Sequence, residues 1–383
     1  MRSTWAEIDL SAVEHNIVRL RELVAPAALV AVVKADGYGH GAVAVAEAAL
    51  AAGAVGLAVA LVEEGATLRA AGVDAPVLLL AEPPPSDAAD VVAHDLQPAV
   101  YTEVGIIALA DAVACARSQR AAPDPVGPLV VHLKVDTGMH RVGVQPAEAV
   151  AVAKVIGART ELRLGSVWTH CAVADEPDEP FTAEQLDRFA RTVVDLAAAG
   201  VEVPARHAAN SAAAIAHPEA RLDLVRCGIA IYGIDPSPAL AGRADLCPAL
   251  RLVSRVSHVK VVAAGEALSY GQRYRLDADT VVATIPIGYA DGLRRRLSAT
   301  GATVLVHGRR RPVAGTVTMD QITVDCGDDH SVSVGDEVVL IGHQGDDEIP
   351  VSEWAERLDT IGYEIVCGIG PRVPRTYTNR GGG

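Results

Sequence analysis

At 383 residues the chain is long enough to bury a large core and exceeds the usual single domain, so two domains are expected. Half of the residues are hydrophobic and 21% are charged, which excludes wholesale disorder, while a formal net charge of -15 with no offsetting basic stripe excludes a nucleic-acid partner. Glu7 and Asp9 interrupt the stretch where a secretion signal needs apolar residues, and no uncharged apolar run reaches about 18 residues, so a cytoplasmic protein without a membrane partner is expected. Cys115, Cys171, Cys227, Cys247, Cys326 and Cys367 form no C-x-x-C pair; they read as buried thiols, and no metal site is expected.

Ser11-Ala-Val-Glu14 has the form of a capping box, and Val13, Ile17, Leu20 and Val24 follow at helical spacing, which predicts that a helix opens the chain. Residues 28–33 form the continuous apolar run that a parallel strand buried on both faces requires, ending in Lys34-Ala-Asp-Gly-Tyr-Gly-His-Gly41. Helical composition at 43–50, 63–70, 104–116 and 146–156 then alternates with strand-like runs at 55–61, 77–81, 99–101, 129–135 and 162–169, with Pro-rich breaks at 83–85 and 123–128. Thr182-Ala-Glu-Gln185 predicts a further capped helix bearing Leu186, Phe189, Val193 and Leu196 and stopping at Gly200; strands at 205–209 and 222–226 bring the count to eight. Eight strand-helix units match a (β/α)8 barrel better than an open sheet, because the count reaches closure.

Beyond Pro236-Ser-Pro238 the pattern changes to short β-prone stretches at 250–262, 280–285, 303–306, 322–324 and 338–341, with one clear helix at 351–358. The expected organisation is therefore a TIM-like barrel over 1–244 and a mostly antiparallel β domain over 245–383. Arg309, Arg310 and Arg311 read as a solvated turn, and 381–383 as a disordered tail.

In such a barrel, polar residues at strand C-terminal ends gather around one mouth. Lys34 ends the first strand, Lys134 and Asp136 the fifth, His170 the sixth and Arg226 the eighth, while Asn210 and Ser211 follow the seventh. Singly, each is as well explained by snorkelling or packing; together they point to a site. A lysine there can serve as a Schiff-base residue once burial or neighbouring cations free its amine, and pyridoxal phosphate needs such a lysine, phosphate donors and a partner for its ring nitrogen. The run Gly37-Tyr-Gly-His-Gly41 is equally a phosphate cradle or a flexible turn; Ser211 with the backbone of Gly228 and Ile229 is the better phosphate candidate. His207 and His217 have no partner at a protease-like spacing.

The chain resembles the alanine racemases in Val32-Val-Lys-Ala-Asp-Gly-Tyr-Gly-His-Gly41, Lys134-Val-Asp-Thr-Gly-Met-His-Arg-Val-Gly143, His207-Ala-Ala-Asn-Ser211, Arg226-Cys-Gly-Ile-Ala-Ile-Tyr-Gly233, Ser269-Tyr-Gly271, Ile285-Pro-Ile-Gly-Tyr-Ala-Asp-Gly292, Met319-Asp-Gln321 and Arg372-Val-Pro-Arg375, all in family order. The resemblance implies interconversion of L- and D-alanine by two-base proton transfer through a pyridoxal-phosphate aldimine. It also implies a homodimer, each active site built from one subunit's barrel and the other's C-terminal domain. Lys34 would hold the cofactor and serve as base on the D-alanine side, and Tyr270, from the partner subunit, on the L-alanine side. Tyr38, Ser211, Gly228 and Ile229 would hold the phosphate, with Asn210 in support. Arg226 would face the pyridine nitrogen and suppress transamination. Arg141 would contact the ring oxygen and the substrate carboxylate, held by a carbamylated Lys134; His170 would orient Arg226 and Tyr270. Met319 would bound the substrate site and Tyr289 line its entrance.

Thr316 and Pro371 depart from residues common in the family, Arg and Tyr respectively, and the second change implies looser cofactor binding. A racemase that also takes serine, a decarboxylase on the same barrel and a non-enzymatic cofactor carrier are the competing readings. Arg226 with Tyr270 speaks against the decarboxylase, and the residues after the barrel speak against the carrier. Whether D-alanine supply for peptidoglycan or amino-acid catabolism is served stays open.

Overall fold

In a computed structural model that describes residues 3–119 and 127–379, eight parallel strands close into a barrel: Ala28–Val32, Gly56–Val59, Val77–Leu79, Gln97–Val100, Leu129–Lys134, Leu162–Trp168, Arg206–His207 and Leu224–Cys227. The first pairs with the eighth, Val30 opposite Arg226, which completes the ring. Helices cover its outside, so strand residues facing in and out are both buried; this is why these strands read as continuous apolar runs. Residues 123–126 of the expected Pro-rich break and the tail 381–383 lie outside the described residues.

The helix at the start is present, at Leu10–Val24, but a strand, Trp5–Asp9, precedes it. Its cap is Asp9 instead of Ser11: the carboxylate accepts from Ser11 N at 3.0 Å and from Ser11 Oγ at 2.6 Å, and its charge suits a helix N-terminus. Nor does Thr182 cap its helix, Phe181–Ala198; it lies buried in the first turn. Gln185 instead ties loops under the barrel mouth, accepting from Ala172 N at 2.8 Å and donating to Thr137 Oγ1 at 3.2 Å and His170 O at 3.1 Å. A short helix at Ala88–Ala93, absent from the sequence reading, links the third and fourth strands.

The expected strand at 250–262 is two strands. Leu250–Arg255 lies in a seven-stranded sheet between Glu337–Gln344 and Trp5–Asp9, whereas His258–Val262 pairs with Thr280–Ile285 in a separate three-stranded sheet. Trp5–Asp9 also runs parallel to Arg375–Thr378, so both ends of the chain are stitched into the second unit's sheet. Besides Val351–Leu358 there is a second short helix, Gly362–Cys367.

The arginine run is no solvated turn. Arg309–Pro312 pairs with Thr303–Val306 across His307 and Gly308, whose φ values of 53° and 69° make the mirror-image turn that matches strand twist. Arg310 bonds Asp347 and Glu353, and Arg311 bonds Asp329. Only Cys171, Cys227 and Cys326 are buried; Cys115, Cys247 and Cys367 are exposed, contrary to expectation, and all six are free.

Arg375 fastens the two units. Its guanidinium donates to the carbonyls of Gly39 at 2.9 Å, Gly370 at 2.8 Å, Val373 at 2.7 Å and Ile369 at 2.7 Å. Arg375→Ala would leave these part-buried carbonyls without a charged donor, and a stability loss of about 3 kcal/mol is expected by urea unfolding, the denaturant slope remaining unchanged.

Candidate active site

Lys34 stands where the first barrel strand opens into an unusual loop. Ala35, Asp36, Gly37 and Tyr38 all have φ between 51° and 60°, one turn of left-handed helix. That conformation costs an L-residue about 1–2 kcal/mol, and three of these four residues carry a Cβ, so surrounding groups must hold the turn. They do: Ala35 N donates to Glu64 Oε1 at 2.5 Å, Ala42 N to Asp36 Oδ1 at 2.9 Å and Gly41 N to Asp36 O at 2.8 Å, while Arg375 holds Gly39 O. A Cβ on Gly41 would overlap the Tyr377 hydroxyl, so the C-terminal strand lies directly on this turn. The Gly-rich run is thus a pinned support for Lys34.

Four cationic side chains meet at this mouth with little acidic compensation. Burial lowers the Lys34 pKa and Arg141 lowers it further, against an opposing pull from Glu64. Burial, then Arg141 and Arg226, bring the Lys134 pKa down to about 8; its Nζ sits 4.9 Å from the Trp168 ring centre. Arg141 itself is exposed, on a loop pinned by Asp136 N to Val144 O at 2.8 Å and Val144 N to Lys134 O at 2.9 Å. The Asp136 carboxylate organises the same loop, accepting from the backbone N–H groups of Gly138 and His140.

Arg226 is buried, and its described partners are all neutral. It donates to Thr169 O at 2.9 Å and Ala208 O at 3.0 Å, approaches His207 Nδ1 at 2.7 Å and His170 Nδ1 at 3.4 Å, and lies 4.5 Å over the Trp168 ring. Burial lowers its pKa to about 10. His170 is held neutral, first by burial and then by Arg226, Arg141, Lys134 and Lys34, all of which disfavour a further positive charge.

Next to this cluster, Asn210 Oδ1 caps the helix Ser211–Ala216 by accepting from Ala213 N at 2.9 Å, and Ser211 Oγ accepts from Gly228 N at 2.9 Å. Gly228 is required: a Cβ there would stand 2.5 Å from Tyr38 Oη. Ile229 is buried at the start of the 3-10 turn Ile229–Tyr232, and Tyr38 packs on Tyr232 at 5.0 Å between ring centres and on Tyr363 at 6.0 Å. Lys34, Tyr38, Lys134, Arg141, His170, Asn210, Ser211, Arg226, Gly228 and Ile229 therefore gather at one end of the barrel.

Tyr270, Tyr289 and Met319 form a second cluster, on the β-rich unit. Thr316 Oγ1 donates to Tyr270 O at 2.8 Å and Ser269 Oγ to Thr316 O at 2.8 Å; Tyr289 N donates to Thr318 O and Ala290 N to Met319 O, both at 3.0 Å. Thr316 is thus a buried tie for the Tyr270 loop, while Pro371 is exposed. Tyr270 and Met319 are 72% and 52% exposed, and their described contacts stay within their own unit. His170 touches Arg226 but no described contact joins it to Tyr270.

Sequence reasoning placed His207 in a family motif but gave it no role; the structure pairs it with Arg226, and Trp168, Ser166 and His132 beside it were passed over. The available signal was a polar residue inside an otherwise apolar barrel strand, as at His132 and Ser166.

Two family models match the chain: "Alanine racemase, N-terminal domain" over residues 8–236 and "Alanine racemase, C-terminal domain" over 249–377. An alanine racemase of Symbiobacterium thermophilum is 49% identical over 378 residues, covering 98% of this chain and 97% of the relative. The crystal structure of alanine racemase from D-cycloserine producing Streptomyces lavendulae superposes with a TM-score of 0.91 at 39% identity, over 99% of this chain and 97% of that one. The crystal structure of alanine racemase from E. faecalis does so with a TM-score of 0.90 at 38% identity, over 98% of each. With the barrel and the β-rich unit each matched by a family model and one relative of nearly equal length 49% identical across them, this chain belongs to the alanine racemase family, the isomerases that interconvert L- and D-alanine.

Proposed function

We propose that this chain racemises alanine with pyridoxal 5'-phosphate held at the Lys34 mouth, in a homodimer whose second subunit supplies Tyr270. The observation that carries this reading is the convergence of a half-buried lysine of lowered pKa with Lys134, Arg141 and Arg226, cations suited to an anionic ligand, beside the Ser211 and Gly228 donors suited to its phosphate. The residues present fit the cofactor: Ser211 and Tyr38 offer hydroxyls, and Gly228 lets the Tyr38 hydroxyl stand where a Cβ would intrude. When bound, pyridoxal phosphate supplies an aldehyde for the substrate amine and an electron-withdrawing ring that acidifies the α-hydrogen.

The chain's residues do the rest. Lys34 anchors the cofactor and moves the α-proton on one face, and Tyr270 moves it on the other. Two bases are needed because inversion removes the proton from one side of a planar carbon and returns it to the opposite side. Arg226 faces the ring nitrogen as a donor that keeps its own proton. Arg141 binds the substrate carboxylate; Met319 bounds the small pocket and Tyr289 its entrance. The exposure of Tyr270 and Met319 in the single chain supports their use on a second copy. We place the reaction in the cytoplasm, the compartment expected from the family resemblance; separately, among the described residues no helix is long and apolar enough to cross a membrane.

The test is incubation of the cofactor-loaded protein with L-alanine or L-serine in deuterated buffer, followed by chiral chromatography and mass spectrometry. D-alanine carrying α-deuterium, with much slower serine turnover, is expected; exchange without inversion would remove Tyr270 from its role.

Gly228→Ala pushes a methyl against Tyr38 Oη, and overpacking of about 1–3 kcal/mol, if borne by the phosphate floor, converts to a cofactor dissociation constant raised about 5- to 150-fold in spectrophotometric titration. A separate expectation concerns Lys134. Only a free amine adds carbon dioxide, and the resulting carbamate anion would sit between Arg141 and Arg226. With a pKa of about 8, the free amine is the minor form at pH 7 and the major form at pH 9, so carbamylation should rise with pH across that window. Labelled-bicarbonate carbon NMR reads it directly; a carbamate signal falling with pH would contradict the assignment.

A further inference from the structure

A chain of hydrogen bonds runs from Arg226 through the interior of the barrel. His207 Nδ1 lies 2.7 Å from Arg226 Nη1, and His207 Nε2 lies 2.7 Å from Ser166 Oγ. Ser166 Oγ is 2.7 Å from His132 Nδ1, and His132 Nε2 is 3.1 Å from Gln97 Oε1. The five residues come from the eighth, seventh, sixth, fifth and fourth strands in turn, ending at the first residue of the fourth. Arg226, His207, Ser166 and His132 are buried and Gln97 is half-buried. The fold makes room for this row: a Cβ on Gly165 would stand 3.0 Å from His132 Cε1 and 2.5 Å from Val130 Cγ1.

The chemistry of its ends gives the row one direction. A guanidinium only donates, so His207 Nδ1 must be bare and its proton must sit on Nε2. That proton points to Ser166 Oγ, the serine hydroxyl then turns to His132 Nδ1, and His132 keeps its own proton on Nε2 for the Gln97 oxygen. Every group donates away from Arg226. Without the row only Arg226 itself would oppose the other tautomer, which sets His207 N–H against Arg226 N–H and is reached once the guanidinium turns aside.

We propose that Ser166, backed by His132 and Gln97, is a tautomer lock that keeps His207 an acceptor and so holds Arg226 aimed at the mouth of the barrel. Ser166, His132 and Gln97 are positioning residues, acting through His207 on a guanidinium whose other described partners are the carbonyls of Thr169 and Ala208, the Trp168 ring and His170. The consequence for reactivity rests on the reading that Arg226 faces the cofactor nitrogen. A loosened Arg226 should raise transamination, in which alanine's amino group stays on the cofactor and pyruvate leaves.

The test uses the full-length, cofactor-loaded protein labelled with nitrogen-15 histidine. In the wild type, long-range proton–nitrogen spectra at pH 7 should show His207 and His132 as neutral Nε2–H tautomers. In Ser166→Ala the two nitrogen shifts of His207 should move toward each other, and pyruvate released per alanine racemised should rise about tenfold, the fold-change that corresponds to the loss of one hydrogen bond. Ser166→Thr, which keeps the hydroxyl, should restore both. Gln97→Leu, at the far end, should disturb His132 more than His207 and serves if Ser166→Ala does not fold. A wild-type His207 carrying its proton on Nδ1 or on both nitrogens overturns the proposal. So do unchanged His207 shifts in Ser166→Ala, or shifted tautomers with an unchanged pyruvate ratio. The spectra read the lock whether or not the protein turns alanine over, so failure of the proposed chemistry is seen separately.

Discussion

Replacing Lys34 by alanine is expected to reduce alanine racemisation by at least about 10⁴-fold, because in the function proposed above one side chain would both anchor the cofactor and move a proton, and the second role alone contributes up to about 10⁴. Among the described residues no salt bridge holds Lys34, and burial together with Arg141 lowers the pKa of its amine, which favours the free base. Lys34→Arg should not rescue: a guanidinium neither forms the imine nor gives up its proton. The left-handed turn that follows is held by Glu64, Asp36 and Arg375, none of which depends on the Lys34 side chain, so both variants should keep the wild-type circular dichroism. Chiral chromatography checks the rate, and more than about one percent residual racemisation in a purified alanine variant would displace Lys34 from the mechanism.

Tyr270→Phe removes a single oxygen and is expected to slow racemisation from L-alanine by about 10²–10⁴-fold while D-alanine still exchanges its α-hydrogen with solvent. The Tyr270 side chain is largely exposed, and its loop is held through Ser269 and Thr316, so stability should change by no more than about 0.5 kcal/mol. Mixing this variant with Lys34→Ala, after subunit exchange, separates two architectures. If a site takes its lysine from one subunit and its tyrosine from the other, each hybrid dimer carries one intact site. Activity should then recover to on the order of one quarter of wild type, since half the dimers are hybrids with one good site of two. No recovery would mean that both residues act within one subunit.

The barrel was legible because its units repeat. Each buried parallel strand needs an unbroken apolar run and each crossover a helix, and eight such alternations leave closure as the natural arrangement. The residues at strand C-terminal ends were legible for the same reason, since the barrel sends all of them to one mouth. The errors fell where local signals compete. Ser11 and Thr182 match a capping pattern, yet Asp9 offers a charged cap and Thr182 faces inward. Three arginines in a row look solvated, yet the turn at His307 and Gly308 folds them into a hairpin beside Asp347, Glu353 and Asp329. The run 250–262 looks like one strand because neither half announces that it belongs to a different sheet.

By itself the sequence determined the alternation, the strand-end chemistry and, through its motifs, the family, since these depend on residue type at short spacing. Tertiary structure alone decided what depends on groups distant in the chain. Arg375 reaches Gly39 across 336 positions, Trp5–Asp9 pairs with Leu250–Arg255 and Arg375–Thr378, and Arg226 meets His207 and Trp168 inside the barrel. The lowered pKa of Lys34 and Lys134 belongs to that second class: desolvation and the field of neighbouring cations exist only once the chain has closed around them.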